Sequence, residues 1–287
     1  MVRFVKAQAC GNDFLVIDRG AAGSDGLEKM SADEERSLAV ALCARTTGVG
    51  ADGLEYLSWT GERSGEIKLY NADGSVAEIS GNGTRCVAAW MAHAKAVQPG
   101  EAMTLKTDAG MRDCRVMGRT GEGRYEIASR MGVPRVEASA VVLHEEGIEI
   151  EGAVVSTGNP HFVIFVEDEH FRAYGRDWRE LGSAICFHPD FPEQTNVEFV
   201  HVRDAGEISI RIFERGVGPT TSSGTGTCAT SAAAIALRGC STQLRVEAPG
   251  GMQQTDWPSP GAEILLTGPA ALIASGEAFV GLSRSEG

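Results

Sequence analysis

The chain has 287 residues, of which 43% are hydrophobic and 23% charged, a balance that suits two medium domains with real cores and excludes a disordered chain. A formal net charge of −13 argues against non-specific nucleic-acid binding and against an anionic membrane surface, so an anionic ligand must be held by backbone dipoles and a few placed arginines. No apolar run approaches the ~20 residues of a membrane span, and Met1-Val2-Arg3-Phe4-Val5-Lys6 lacks a signal peptide's apolar core. Seven cysteines without CxxC spacing read as free thiols of a reducing cytoplasm. Together with scattered histidines they predict no metal site.

In chain order, residues 2–18 read as a strand, a turn at Cys10-Gly11-Asn12-Asp13, and a second strand from Phe14. Ser31 caps a helix with an acidic first turn that ends before Thr47-Gly48-Val49-Gly50. Strands follow at 54–57 and 66–70, then a turn at Asn71-Ala72-Asp73-Gly74-Ser75 and a helix over 84–95. Short strands are expected at 103–107, 113–116 and 124–127. The second half repeats the style, with a strand at 162–166, a helix over 177–184, an alternating strand at 208–215, a helix over 224–237 and late strands in 262–282. The alternation at 208–215 predicts that its polar members share one face. The fold class expected is α+β, with two mainly antiparallel sheets, each wrapped round one central alanine-rich helix.

One stretch is written twice. Ser80-Gly81-Asn82-Gly83-Thr84 opens one alanine-rich run and Ser223-Gly224-Thr225-Gly226-Thr227 opens another, half a chain later. Gly11-Asn12-Asp13-Phe14 is echoed at nearly the same interval by Gly158-Asn159-Pro160-His161, which reads as duplication, although Gly-x-Gly turns also recur by chance in glycine-rich chains. The domains expected are 1–130, completed by the final strand at 276–287, and 131–275. A glycine-rich helix start presents unpaired N–H groups to an anion. Two such starts converging on one carboxylate would make an electropositive pocket that favours negative charge beside it, as when an amino acid loses its α-proton.

Ser80 and Ser223 then flank the α-carbon as an acid/base pair, or they simply cap their helices, which serine does well. His161 and Glu214 are the titratable groups nearest these turns, each either a general base, an orienting group or a satisfied polar residue of its turn. Arg215 either forks onto a carboxylate or pairs with Glu214. Asn12, Asn71, Asn159 and Asn196 stand in turn contexts and suit the lining of a polar substrate pocket, with Gly81, Asn82, Gly224 and Thr225 supplying the helix starts. Cys86 and Cys228 read as buried helix residues. No GxGxxG or Walker pattern is present, so no nucleotide, flavin or other cofactor is expected.

Seven motifs in order resemble diaminopimelate epimerases: Gly11-Asn12-Asp13-Phe14, Gly48-Val49-Gly50-Ala51-Asp52-Gly53, Asn71-Ala72-Asp73-Gly74-Ser75, Gly81-Asn82-Gly83, Gly158-Asn159-Pro160-His161, Thr195-Asn196-Val197-Glu198-Phe199 and Glu214-Arg215-Gly216. The resemblance implies two pseudo-symmetric domains with the active site in the cleft between them, and a cofactor-independent isomerase of lysine and cell-wall synthesis. It implies that Asn71, Asn159, Asn196, Glu214 and Arg215 read the distal amino-acid centre, that Asn12 matches too, and that His161 stands beside the first of two cysteines. In that family a cysteine precedes each glycine turn and the pair moves the α-proton; here Ser80 and Ser223 hold those positions, and Gly218-Pro219-Thr220 replaces Gly-Glu-Thr. Three functions stay open: an epimerase acting through the serines, an isomerase similar to the phenazine-biosynthesis enzymes that use a carboxylate, and a non-catalytic amino-acid-binding paralogue. The partner expected is a small-molecule amino acid, not nucleic acid or membrane, and a homodimer is compatible.

Overall fold

In Val2–Ala9 the side chains of Val5, Ala7 and Ala9 are buried while Lys6 and Gln8 reach outward, and this alternation makes strand β1. Cys10 and Gly11 both take positive φ (52° and 81°), as a two-residue hairpin turn requires, and return the chain as β2, Asn12–Asp18. The computed structural model describes residues 1–21, 26–77, 80–108, 110–143 and 147–280. Among them are seventeen strands and four α-helices, so strands dominate this α+β chain.

The chain divides into two compact units, Met1–Ser129 with Pro269–Gly287, and Arg130–Gly268. In the first unit β2 is followed by α1 (Ala32–Cys43), β3 (Gly53–Gly61), β4 (Ser64–Asn71), β5 (Val76–Ala77), α2 (Gly81–Ala94), β6 (Ala102–Thr107), β7 (Gly110–Gly121) and β8 (Arg124–Arg130). The second runs through β9 (Arg135–Leu143), β10 (Ile148–Ser156), β11 (Pro160–Phe165), α3 (Trp178–Cys186), β12 (Asn196–Asp204), β13 (Glu207–Glu214), β14 (Gly218–Thr220), α4 (Gly224–Arg238), β15 (Gln243–Ala248) and β16 (Gly251–Asp256). Strand β17, Leu265–Ala278, starts in the second unit and ends in the first. The strand expected at 276–287 therefore stops at Ala278, and residues 281–287 lie outside the described residues.

The duplication is a duplication of pairings. In the first unit β1–β2 and β3–β4 are antiparallel, β2–β3 are parallel with α1 between them, and β4–β6 are parallel with α2 between them. The second unit has the same order: β10–β11 and β12–β13 antiparallel, β11–β12 parallel across α3, and β13–β15 parallel across α4. Parallel neighbours need a crossover, and the helices supply it. The expectation of mainly antiparallel sheets is thus refined by two parallel joins in each unit.

The helices divide by composition. α1 and α3 carry capping boxes, Ser31 with Glu34 and Asp177 with Glu180, and each keeps a polar face. Glu35 of α1 turns inward and is met by Arg19, by Lys68 and by the Tyr70 hydroxyl (2.8 Å), which ties α1 to the strands beneath it. α2 and α4 are buried nearly all round. Residues 82–89 are inaccessible in α2 and 226–234 in α4, and their alanines and glycines let strands approach closely. α4 ends at Gly239 (φ 68°), the left-handed stop that glycine accepts. α2 begins at Gly81, three residues before the expected start, because the glycines of the turn are already helical.

Candidate functional site

Each buried helix begins at a serine. Ser223 holds extended backbone (φ −141°, ψ 129°) and its Oγ accepts from Gly226 N at 3.2 Å, so it caps α4. Ser80 does the same for α2, with Oγ 3.0 Å from Gly83 N. Both are half-buried and so within reach of a ligand. The capping reading of these serines holds, and an acceptor role for Oγ leaves each hydroxyl proton free to donate.

Behind each cap lies a carboxyl group. Glu198 of β12 is fully buried, and a Cβ placed on Gly226 would stand 2.9 Å from its Oε1 and 3.2 Å from Ser223 Cβ. Glu55 of β3 is equally buried, and a Cβ on Gly83 would run into its carboxyl (carbon at 2.9 Å) and lie 3.2 Å from Ser80 Cβ. Only glycine leaves room for a carboxylate against the first turn of either helix. The strand register makes the two positions equivalent: Phe14 pairs with Gly53 in one parallel ladder and His161 with Asn196 in the other, and each glutamate follows two residues later.

The two carboxyls differ in what they meet. Glu198 Oε1 lies 2.7 Å from His161 Nδ1, and His161 Nε2 faces Asn159 Oδ1 (2.9 Å) and Thr157 Oγ1 (3.2 Å). Asn159 Nδ2 donates to Thr225 Oγ1 (3.4 Å), which lies 3.4 Å from Ser223 Oγ, so a continuous polar line joins Glu198 to the start of α4. In the first unit Phe14 occupies the place of His161, and Glu55 Oε2 has no hydrogen-bond partner. Burial pushes the Glu55 carboxyl up to about 8, so it keeps its proton at neutral pH.

This has a measurable consequence. The folded value of Glu55 lies above the 4.5 of the free side chain, so the unfolded chain holds fewer protons and stability falls as pH rises from about 4.5 to about 8. The loss is on the order of a few kcal/mol. In Glu55→Gln this fall should flatten, so the variant melts higher than the parent at pH 8.5 and near it at pH 5; calorimetric scans at both values read the difference.

Glu214 ends β13 half-buried, and burial, reinforced by the charge of Glu198 and opposed by that of His161, brings its carboxyl up to about 7. It stands in phase with Ile208, Ile210 and Ile212, not with Ser209 and Arg211. The expectation that the polar members share one face fails here, because the alternation carries Glu214 to the other side. Asn196 spends its side chain on backbone, donating to Pro160 O (3.0 Å) and accepting from Arg215 N (2.9 Å). The guanidinium of Arg215 is exposed and donates to Glu193 O (2.9 Å).

In the first unit Asn12 Nδ2 donates to Asp52 (2.7 Å), and its Oδ1 accepts from Asn82 Nδ2 (3.2 Å) in the first turn of α2. Asn82 Oδ1 in turn accepts from the buried Arg85 (2.6 Å). Asn71 closes its own turn through Ser75 Oγ (2.9 Å). Gly81 and Gly224 are the first residues of their helices. All seven cysteines are free and buried, and burial raises the Cys86 thiol far above the usual range.

Sequence reasoning passed over Glu55 altogether and quoted Glu198 without a role. A signal existed, since Glu198 follows Glu55 by the interval that separates Ser223 from Ser80. Among the described residues no cluster of three or more histidines, cysteines or acids is placed to hold a metal, and no helix is long and apolar enough to cross a membrane.

Comparison with known proteins identifies the family. The family profile described as diaminopimelate epimerase matches residues 4–136 and 153–273. The diaminopimelate epimerase of Thermosynechococcus vestitus is 36% identical over 95% of this chain and 98% of its own, and that of Desulforudis audaxviator 32% over 96% and 99%. Among solved structures, a Bacillus anthracis phenazine biosynthesis protein of the PhzF family superposes with a TM-score of 0.71 at 16% identity, covering 97% of this chain and 99% of that one. A probable proline racemase from Agrobacterium radiobacter reaches 0.68 at 15%, covering 99% and 95%; at such identities the likeness is one of fold. With the family profile matching most of its residues and such relatives covering nearly its whole length, the chain belongs to the diaminopimelate epimerase family.

Proposed function

We propose that the protein interconverts LL- and meso-diaminopimelate, or a related amino acid, by removing the α-proton at one glycine-rich helix start and returning a proton at the other. The observation that carries this reading is the twin arrangement of Ser80 on α2 and Ser223 on α4, each hydroxyl accepting from a first-turn N–H with a glutamate behind it. The relatives' names supply the substrate class.

In this reading the first-turn N–H groups at Gly81-Asn82 and Gly224-Thr225 hold the α-carboxylate, and their dipoles stabilise the charge that develops as the α-proton leaves. Ser80 and Ser223 stand in the positions of the family's cysteines and take their part in moving the α-proton. A hydroxyl is a weak base alone, so the two serines depend on the help of Glu214 and His161. Glu214, brought near 7, is balanced between its two protonation states at neutral pH, as a general base should be, and His161 is oriented by its hydrogen bond to Glu198. Asn71, Asn159, Asn196, Glu214 and Arg215 recognise the distal amino-acid centre, and Asn12 adds to the lining of the substrate pocket.

The test is α-proton exchange followed by NMR, with LL-diaminopimelate and the purified protein in heavy water. The wild type should exchange the α-proton, and Ser80→Ala or Ser223→Ala should each lower the rate of inversion by about 10²–10⁴-fold, the usual weight of a positioned acid or base. Tight calorimetric binding without exchange in the wild type would replace this reading by that of an amino-acid-binding paralogue.

A further inference from the structure

The two faces of β13 differ in chemistry. Ile208, Ile210 and Ile212 pack with Ala229 and Ala233 of α4, whereas Ser209 and Arg211 share the side of Phe213, which packs with Leu181 and Ile185 of α3. Across the ladders His201, Ser209 and Glu247 form one row, because His201 pairs with Ser209 and Ser209 with Glu247. Arg211 follows on the same face of β13, opposite Phe199. Together with Phe171 and Arg203 these side chains line a cavity of about 640 Å³ whose walls belong wholly to the second unit, a size that suits a small molecule. The sheet separates this cavity from α4.

Arg211 is the unusual member of the cavity. It is half-buried, its Nη1 donates to Ile210 O (2.8 Å), and its guanidinium carbon lies 4.2 Å from the centre of the Phe171 ring. Phe171 is itself buried in the left-handed region (φ 60°), a strained backbone of the kind found at ligand clamps. Arg203 meets the carboxylates of Glu207 and Glu247, and Arg245 meets Glu207, but among the described residues no carboxylate pairs with Arg211. Burial lowers the proton affinity of its guanidinium, Glu247 opposes this, and Arg179 and Arg203 add to it, so Glu247 is near enough to act on Arg211 without pairing with it. A guanidinium withdrawn from water without a counter-charge is costly. Its Nε and Nη2 form the side-on fork that fits a carboxylate. Two cations, Arg203 and Arg211, face two carboxyl groups, Glu169 and Glu247, in this cavity. Such a balance repels a multiply charged anion from the acidic side and suits a ligand that carries one charge of each sign. We infer that the cavity is a binding site for a free α-amino acid, separate from the groups at the start of α4, with the ligand's carboxylate on the Nε–Nη2 edge of Arg211 and its ammonium group toward Glu247.

Calorimetric titration of the full chain tests this site, with L-glutamine and L-lysine as amino-acid probes and inorganic phosphate as the anion-only probe. At least one amino acid should bind the wild type with a Kd of about 1 mM or tighter, and phosphate should bind more weakly. Arg211→Gln and Glu247→Gln should each weaken the amino acid by about 10-fold or more, the weight of a hydrogen bond to a charged group. Arg130→Gln, which removes an exposed arginine paired with Glu263 outside the cavity, should leave binding unchanged. Melting temperatures show that the variants fold; if Arg211→Gln does not, Arg211→Lys, which keeps the charge and removes the fork, carries the same expectation. Failure of both amino acids to bind overturns the inference. So does binding that survives Arg211→Gln undiminished, which places the ligand elsewhere in the chain, the start of α4 included. Phosphate binding as tightly as the amino acids, with Glu247→Gln harmless to both, reduces the cavity to an anion site and overturns it as well.

Discussion

Replacing both serines by cysteine, Ser80→Cys with Ser223→Cys, is expected to raise α-proton exchange with diaminopimelate by about 10²–10⁴-fold. A thiol starts near pKa ~8.5, and helix N-termini can bring it within reach of neutral pH. A hydroxyl starts far higher, and the same dipoles do not close that gap. The surroundings are already suited to a thiolate: Gly83 N and Gly226 N point at the side-chain atom at 3.0 and 3.2 Å, and both positions are half-buried. Exchange rates measured beside the wild type, with melting temperatures to show that both fold, decide the matter. An unchanged rate would mean that the proton is not carried at these two positions.

Removing His161 should cost more stability than any surface change in the chain. His161→Ala leaves Glu198 with neither oxygen paired at zero exposure, and breaking a buried pair from one side costs about 3–5 kcal/mol. In a chain of this size that corresponds to a fall in melting temperature of roughly 10 °C. The substitution also removes the one positive charge that opposes the upward shift of Glu214, so that carboxyl should move further above 7. Adding Glu198→Gln to His161→Ala should recover part of the loss, because an amide tolerates burial better than an unpaired carboxylate. Urea unfolding of the single and double variants reads both effects. A loss below 1 kcal/mol would show that water reaches Glu198.

The elements that sequence alone located are those with local signals. β1 and β2 follow from alternation and a two-residue turn, and α1 from Ser31, Glu34 and an acidic first turn. α2 and α4 follow from alanine-rich runs after capped glycine turns. Boundaries moved where the local signal was ambiguous. Glycines that read as a turn at 81–83 are the first helical residues of α2, because a helix start tolerates them when a buried side chain needs the space. Glu214 was expected among polar neighbours, yet the period of two puts it with the isoleucines.

Family membership, the repeated glycine turns, the free cysteines and the identity of the two serines are properties of the sequence itself, because each is a matter of residue type and spacing. The roles of the glutamates are not. Glu55 and Glu198 come to lie behind Gly83 and Gly226 through parallel ladders, β2 with β3 and β11 with β12, that join strands separated by a whole helix. No local pattern encodes that register, and none announces that Phe14 will stand where His161 stands. Tertiary structure alone therefore decided that one carboxyl meets a histidine and the other does not. The reason is physical: the proton affinity of a carboxyl depends on the water it loses and the groups it meets, and both are set only when distant strands close around it.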